Sequence, residues 1–201
     1  AKLKSDVQLR SRNQRDFTQK YYPVTQALEA LNMSMVIDGE LVVVDDQGMP
    51  QFGDLQNWCS EADGELLYYI FDLLWWEGKD LRAWPLADRQ QALKKVFGTE
   101  GFGKLRLGYS KHKTGKSFLA SAAKLGLEGM VAKRNDSLYE TGHRSKSWLK
   151  NKVEQRQELV IIGYILNKGS GKNFSSLLLG VYKSGELSYA GTVGTGFSDK
   201  E

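Results

Sequence analysis

The stretch Leu66-Leu67-Tyr68-Tyr69-Ile70-Phe71-Asp72-Leu73-Leu74 limits the fold more than any other part of the chain. It is a nearly continuous apolar run with no polar face, which predicts a strand buried on both sides. Strand-like, β-branched text also occupies Met35-Val36-Ile37 and Leu41-Val42-Val43-Val44, on either side of Asp38-Gly39-Glu40. Asp45-Asp46-Gln47-Gly48 reads as the turn that follows. Val7 to Arg10 alternates like a strand and runs into the polar turn Ser11-Arg12-Asn13. One helix is predicted from Pro23, with Val24, Ala27, Leu28 and Leu31 on one face. A second runs from Leu86 to Phe97 and stops at Gly98, and a shorter one runs from Ser117 to Leu125. Lys104 to Leu107, Gly129 to Lys133 and Trp148 to Lys152 alternate as strands, the last two with basic residues at alternate positions.

After Lys152 the character changes to strand after strand: Leu159 to Leu166, Leu177 to Tyr182, and Leu187 to Ala190, with Ser184-Gly185 as a tight hairpin turn. A domain boundary therefore falls between 152 and 153. Residues 1–152 read as a domain of both helices and strands, and residues 153–201 open a small all-β domain of the OB-fold kind. Three strands are too few to close a barrel, so the second domain reads as cut short.

Charge is distributed unevenly. Formal net charge is only +4. No Lys, Arg or His occurs from Tyr21 to Gly78, whereas Lys104 to Lys152 holds twelve Lys and Arg against three acids, Glu128, Asp136 and Glu140. A basic half suits a polyanion, either a nucleic-acid backbone or a nucleotide triphosphate, although a solvated basic face gives the same count. No apolar run is long enough to cross a bilayer, and the polar N-terminal text predicts no signal peptide. The lone Cys59 cannot form an internal disulfide, which fits a reducing cytosol.

Several residues could carry chemistry. Lys150 and Lys152 point to one face of a strand, about 7 Å apart along the backbone. Two ammonium groups at that spacing suit a polyphosphate, and an exposed edge strand is the bland alternative. Glu128 stands at the entry of the apolar strand 129–133, where a carboxylate beside lysines could hold Mg²⁺ against phosphate oxygens. A strand-end surface acid looks the same in sequence. Glu40 could accept hydrogen bonds from a ribose, or sit in an ordinary turn. Phe71 could stack on a base, or pack in the core. Arg12 could grip a phosphate through its guanidinium.

Other motifs carry nothing. Gly115-Lys116-Ser117 resembles the end of a P-loop, but position 110 is Ser where that loop needs Gly. Gly169-Ser170-Gly171-Lys172 is followed by Asn173 in a hairpin-like loop. His112, His143 and Cys59 lack metal-ligand spacing.

Taken in order, Ser11-Arg12-Asn13, Asp38-Gly39-Glu40, Tyr69-Ile70-Phe71-Asp72-Leu73-Leu74, Glu128-Gly129-Met130-Val131-Ala132-Lys133 and Trp148-Leu149-Lys150-Asn151-Lys152 resemble the covalent nucleotidyltransferase motifs of ATP-dependent DNA ligases. The connecting text, including Pro85-Leu86 to Arg89, Asp136 to Tyr139, Gly142 to Ser145, Phe174 to Gly180 and Gly191 to Phe197, resembles the ligase module of bacterial end-joining ligases of the ligase D type. The resemblance spans essentially the whole chain. It implies an α+β nucleotidyltransferase (adenylation) domain followed by an OB-fold. It implies that Arg12 contacts the nucleotide or nick phosphate, Glu40 the ribose and Phe71 the adenine. Glu128 serves a divalent metal, Mg²⁺ or Mn²⁺, and Lys150 and Lys152 bind the α-phosphate and its neighbours. The implied partners are ATP, nicked or broken double-stranded DNA, and end-joining factors fused or associated, in the bacterial cytosol and nucleoid. The implied reaction passes AMP from ATP to a lysine, then to a DNA 5′-phosphate, after which a 3′-OH displaces it.

The nucleophile of that family lies in a Lys-x-Asp-Gly motif, and these 201 residues contain none. Lys4-Ser5-Asp6-Val7 comes nearest, with Val for Gly and only eight residues before Arg12. The chain is therefore expected not to self-adenylylate. RNA ligases and capping enzymes share the motif order more loosely. A non-catalytic relative that binds nicked DNA or nucleotide is the other alternative.

Overall fold

A computed structural model describes residues 2–3, 6–108, 115–143, 145–153, 157–166 and 174–194. Lys4, Arg144, the 169–172 loop and residues 195–197 of the motifs above lie outside the described residues. The chain divides into two compact units, Ala1–Val153 and Glu154–Glu201.

The first unit is built on a six-stranded sheet. Its strands are β1 (Lys2–Leu3), β2 (Asp6–Val7), β3 (Met35–Val44), β4 (Glu65–Trp76), β5 (Lys79–Asp80) and β6 (Leu105–Leu107). They run in the order β2-β1-β3-β4-β5, with β6 beside β4. Helices α1 (Tyr22–Glu29), α2 (Phe52–Asn57), α3 (Leu86–Phe97) and α4 (Gly115–Lys124) follow in chain order, with a 3₁₀ turn at Glu61–Asp63. The apolar run becomes the 12-residue strand β4, pairing antiparallel with β3 and parallel with β6. A parallel neighbour needs a crossover, and α3 supplies it between β4 and β6. The fused apolar cluster joins Val24 and Leu28 of α1, Leu93 and Phe97 of α3, Tyr68 and Ile70 of β4, and Leu105 and Leu107 of β6. Full burial of each such side chain stabilises the fold by about 1.5–3 kcal/mol.

Helix α3 starts after Pro85 and stops at Gly98, as its sequence predicts, with Asp88 in its first turn and Lys94 and Lys95 in its last. Its N-terminal amides would otherwise lack partners. Leu86 N donates to the Ser137 carbonyl and Ala87 N to the Asn135 carbonyl, each at 2.9 Å. The loop after residue 133 thus caps the helix.

One local expectation is corrected. Asp38-Gly39-Glu40 is not a turn between two strands but the middle of the continuous strand β3. Gly39 permits this: a Cβ there would lie 2.5 Å from the Tyr69 carbonyl oxygen and 2.7 Å from the Tyr68 ring. The strand Val7–Arg10 also proves shorter, since only Asp6–Val7 pairs as strand and Arg10 makes an isolated bridge to Asp16.

Two further strands, β7 (Gly129–Lys133) and β8 (Trp148–Lys152), form a separate antiparallel pair within the first unit. Among its described residues the second unit forms a three-stranded antiparallel sheet of β9 (Val160–Leu166), β10 (Phe174–Lys183) and β11 (Glu186–Val193), in the order β11-β10-β9. Ser184 and Gly185 both take positive φ, 52° and 87°, the conformation a two-residue hairpin turn requires.

Candidate active site

The β7–β8 ladder collects most of the candidate residues. Gly129 faces Lys152, Val131 faces Lys150, and Lys133 faces Trp148. Alternate residues on paired strands share a face, so the two lysines of β8 stand on the same side as Lys133 and Trp148. The ladder therefore has a cationic end and an aromatic end, with Lys150 about 7 Å from Trp148 along the strand.

At the first end, Lys150 Nζ lies 2.9 Å and Lys152 Nζ 3.6 Å from the same oxygen, Oε1 of Glu128. The hydrogen bond and charge of Lys150, with Lys152 behind it, hold the Glu128 carboxyl below the ordinary glutamate range. All three side chains are more than half exposed, so the cluster adds little to stability. It places two cations and one anion where an incoming phosphate can exchange partners with them. Gly129 makes this end possible. A Cβ at that position would fall on the Asn151 carbonyl oxygen and 2.8 Å from the Lys152 Cα, and its φ is +154°. Gly129→Ala is expected to cost about 1–3 kcal/mol and to splay Glu128 from the lysines. Thermal melting and ATP titration calorimetry of the variant check both effects.

At the other end, the Lys133 ammonium lies 3.7 Å from the ring centroid of Phe71 and 3.7 Å from that of Trp148. The two rings meet edge to face, with centroids 6.0 Å apart and planes at 77°. A bulge presents Phe71. Asp38 pairs with Asp72 and Gly39 with Ile70, which leaves Phe71 as the extra residue on β4. Burial pushes the Lys133 ammonium down to about 8, against the opposing pull of the Asp72 and Asp38 carboxylates.

Those carboxylates are themselves fixed. Tyr139 Oη donates to Asp38 Oδ2 at 2.8 Å, and Gly39 N donates to Oδ1 at 3.0 Å. Burial raises the Asp38 carboxyl and these hydrogen bonds oppose the rise. Burial and the neighbouring Asp38 charge push the Tyr139 phenol upward, so it stays a donor. The Tyr139 ring also meets Trp148 edge on, at 6.2 Å and 77°. Asp72 is paired with Arg89, Nε to Oδ1 at 2.7 Å and Nη2 to Oδ2 at 2.9 Å, and neither side chain reaches solvent. The remaining Arg89 nitrogen, Nη1, donates to the carbonyls of Ser137 and Trp84. Arg89 thus ties α3, β4 and the 134–139 loop together.

Among the sequence candidates, the fold brings Glu128, Lys150 and Lys152 into contact and sets Phe71 at the far end of their ladder. Arg12 and Glu40 are exposed, and among the described residues neither side chain makes a hydrogen bond or ion pair. Sequence reasoning gave Lys133, Trp148, Tyr139, Asp38 and Arg89 no individual role, although all five lie in the motifs and connecting text that carry the resemblance. The shared alternation of Lys133 with Val131, and of Trp148 with Lys150, also hints at the first two. For a divalent ion the donor set is small: among the described residues no group of three or more His, Cys, Asp or Glu could hold one. One exposed carboxylate, Glu128, beside two phosphate-seeking lysines fits Mg²⁺, which takes one or two protein carboxylates and completes its shell with substrate phosphates and water.

Fold and motif order together define an adenylation-type ligase module. A family model described as "ATP dependent DNA ligase domain" matches residues 1–152, and another described as "ATP dependent DNA ligase C terminal region" matches residues 170–201. The chain belongs to the ATP-dependent DNA ligase family. It is 42% identical over 197 residues to the multifunctional non-homologous end joining protein LigD of Pseudomonas aeruginosa, covering 96% of this chain and 23% of that protein. To the corresponding LigD DNA repair protein of Mycobacterium tuberculosis it is 36% identical, over 97% of this chain and 25% of that one. The chain therefore spans about a quarter of these relatives. The crystal structure of the ligase domain from M. tuberculosis LigD matches 98% of this chain and 63% of its own, at TM-score 0.64 and 36% identity. A mycobacterial DNA ligase D complexed with ATP and MES matches at TM-score 0.66 and 34% identity, over 98% of this chain and 62% of its own.

Proposed function

We propose that this chain is the nucleotide- and phosphate-handling part of an ATP-dependent DNA ligase that joins 3′-OH and 5′-phosphate ends at nicks or breaks in bacterial end joining. The contact of Lys150 and Lys152 with one Glu128 oxygen, on the strand pair that also meets Phe71, carries the reading. In this reading the Phe71 face is the platform for adenine. Lys150 and Lys152 take the non-bridging oxygens of the reacting phosphate. Glu128, freed from Lys150, is the residue that would hold a divalent ion, which would supply neutralisation of phosphate charge. Glu40 serves the ribose and Arg12 the nick phosphate from exposed positions. The second unit contributes strands of an OB-fold.

With no Lys-x-Asp-Gly motif in these 201 residues, the first chemical step is not assigned to this chain. The last step needs no such lysine. The 3′-hydroxyl oxygen, losing its proton, bonds to the 5′-phosphorus of an adenylylated nick. The bond from that phosphorus to the AMP phosphate oxygen breaks, and AMP leaves. Fixed ammonium groups stabilise charge building on the phosphoryl oxygens. The test is to incubate the chain with a pre-adenylylated nicked duplex and Mg²⁺. Sealed duplex and free AMP are expected in equal amounts. Folded protein that binds the duplex without sealing it would favour the non-catalytic binding relative instead. The described residues contain no helix long and apolar enough to cross a membrane, which is compatible with work in the bacterial cytosol and nucleoid.

A further inference from the structure

The two halves of the site stand on different sheets. Phe71 belongs to β4 of the six-stranded sheet, whereas Lys150 and Lys152 belong to the β7–β8 pair, and among the described residues no strand pairing joins the two. Strand pairing therefore does not set the distance between the aromatic face and the ammonium groups. Tyr139, in the loop between β7 and β8, makes contacts that can. Its hydroxyl donates to Asp38 Oδ2 on β3 at 2.8 Å, and its ring meets Trp148 of β8 edge on at 6.2 Å. Trp148 in turn meets Phe71 of β4 at 6.0 Å, and Asp38 pairs in the β3–β4 ladder with Asp72, the chain neighbour of Phe71. Asp38, Tyr139, Trp148 and Phe71 thus close a circuit through three strands and one loop. Tyr139 is also held from outside that circuit. Its amide donates to the Arg82 carbonyl at 2.9 Å, and the Arg89 guanidinium lies 5.9 Å from its ring centroid. Burial raises its phenol, so the hydroxyl keeps its proton for Asp38 at neutral pH.

We infer that Tyr139 is a positioning residue that sets the spacing between base platform and phosphate lysines, by latching the β7–β8 pair to Asp38 of β3. This rests on the reading of Phe71 as the platform for adenine and of Lys150 and Lys152 as phosphate ligands. A ligand that touches both sheets gains affinity over its separate parts only while the two subsites keep the separation of its own base and phosphate. Trp148 passes the constraint on, since Lys150 follows it by two residues on one strand, about 7 Å further along. Losing the Tyr139 hydroxyl opens one link of the circuit and leaves each subsite's own residues in place. A residue needed only for packing would weaken both subsites or neither.

The experiment is NMR titration of the full chain, without metal, with AMP and with its two parts, adenosine and inorganic phosphate. Wild type is expected to bind AMP on the order of a hundredfold more tightly than either part. Tyr139→Phe, which keeps the ring against Trp148, is expected to lose roughly tenfold in AMP affinity and to hold adenosine and phosphate within about twofold of wild type. Asp38→Ala removes the acceptor from the other side of the same link. It is expected to show the same pattern, and the double variant is expected to lose no more than either alone. Melting curves identify the folded variants, and each single variant carries the test if the other fails to fold. An unchanged AMP affinity in a folded variant overturns the inference. So does an equal loss for all three ligands, which would make Tyr139 a packing residue only. Wild type that binds AMP no more tightly than adenosine or phosphate would instead overturn the reading that one ligand spans both sheets, and the inference would fall with it.

Discussion

Arg89→Ala is expected to lower the stability of the first unit by about 3–5 kcal/mol, the usual cost of leaving a buried charge without its partner. Arg89 and Asp72 are both fully buried and joined by two hydrogen bonds, at 2.7 and 2.9 Å. Removing the guanidinium strands the Asp72 carboxylate between β4 and α3. It also frees the carbonyls of Trp84 and Ser137, which Arg89 binds through Nη1. Ser137 belongs to the loop whose carbonyls cap α3, so the helix start loosens as well. A fall in melting temperature of roughly ten degrees or more is the corresponding signal in a unit of this size. Removing both charges is a sharper measurement. Arg89→Met with Asp72→Leu is expected to recover much of the loss, since a buried pair is often no better than apolar residues of similar volume. A single-variant cost near zero would mean that water reaches Asp72, and the loop would then need another anchor.

Lys150→Ala is expected to slow sealing of a pre-adenylylated nick by about 10²–10³-fold, with stability changed by less than about 0.5 kcal/mol. The asymmetry follows from exposure. The Lys150 side chain is 53% accessible and its ion pair with Glu128 contributes little to folding. An ammonium placed at the phosphoryl oxygens, by contrast, acts mainly when charge builds there. Lys152, at 3.6 Å from the shared oxygen and 67% accessible, is expected to matter less. Lys150→Arg is expected to restore only part of the rate, because a planar fork does not replace a point charge at one position. Single-turnover sealing measured beside a melting curve separates these outcomes. A Lys150→Ala variant that seals at the wild-type rate would remove the β7–β8 ladder from the phosphate site.

Much of the local structure is legible in the residues themselves. Pro85 and Gly98 bracket α3, and the apolar run of β4 declares a strand with no exposed face. The alternation of Lys150 and Lys152 puts two cations on one side of a strand, because side chains repeat every second residue. Less legible was the place of Asp38-Gly39-Glu40. Acid–glycine–acid text favours turns, yet β4 runs past it, and the pairing overrides the local preference because a glycine is the one residue that fits under Tyr68 and Tyr69. Phe71 could be core or platform on sequence grounds, and a bulge set by the register of β3 against β4 turns it toward Lys133 and Trp148.

By itself, then, the sequence determined the elements, the charge asymmetry and the order of the ligase motifs, since these depend on composition and on periods of two and 3.6 residues. Only the tertiary structure decided which groups meet. Lys133 and Trp148 stand opposite each other across a loop of fourteen residues. Tyr139 reaches Asp38 over 101 positions, and Arg89 reaches Asp72 over 17 and Ser137 over 48. Those contacts follow from strand register and from the packing of α3 on β4, and such long-range geometry has no period that a single chain displays.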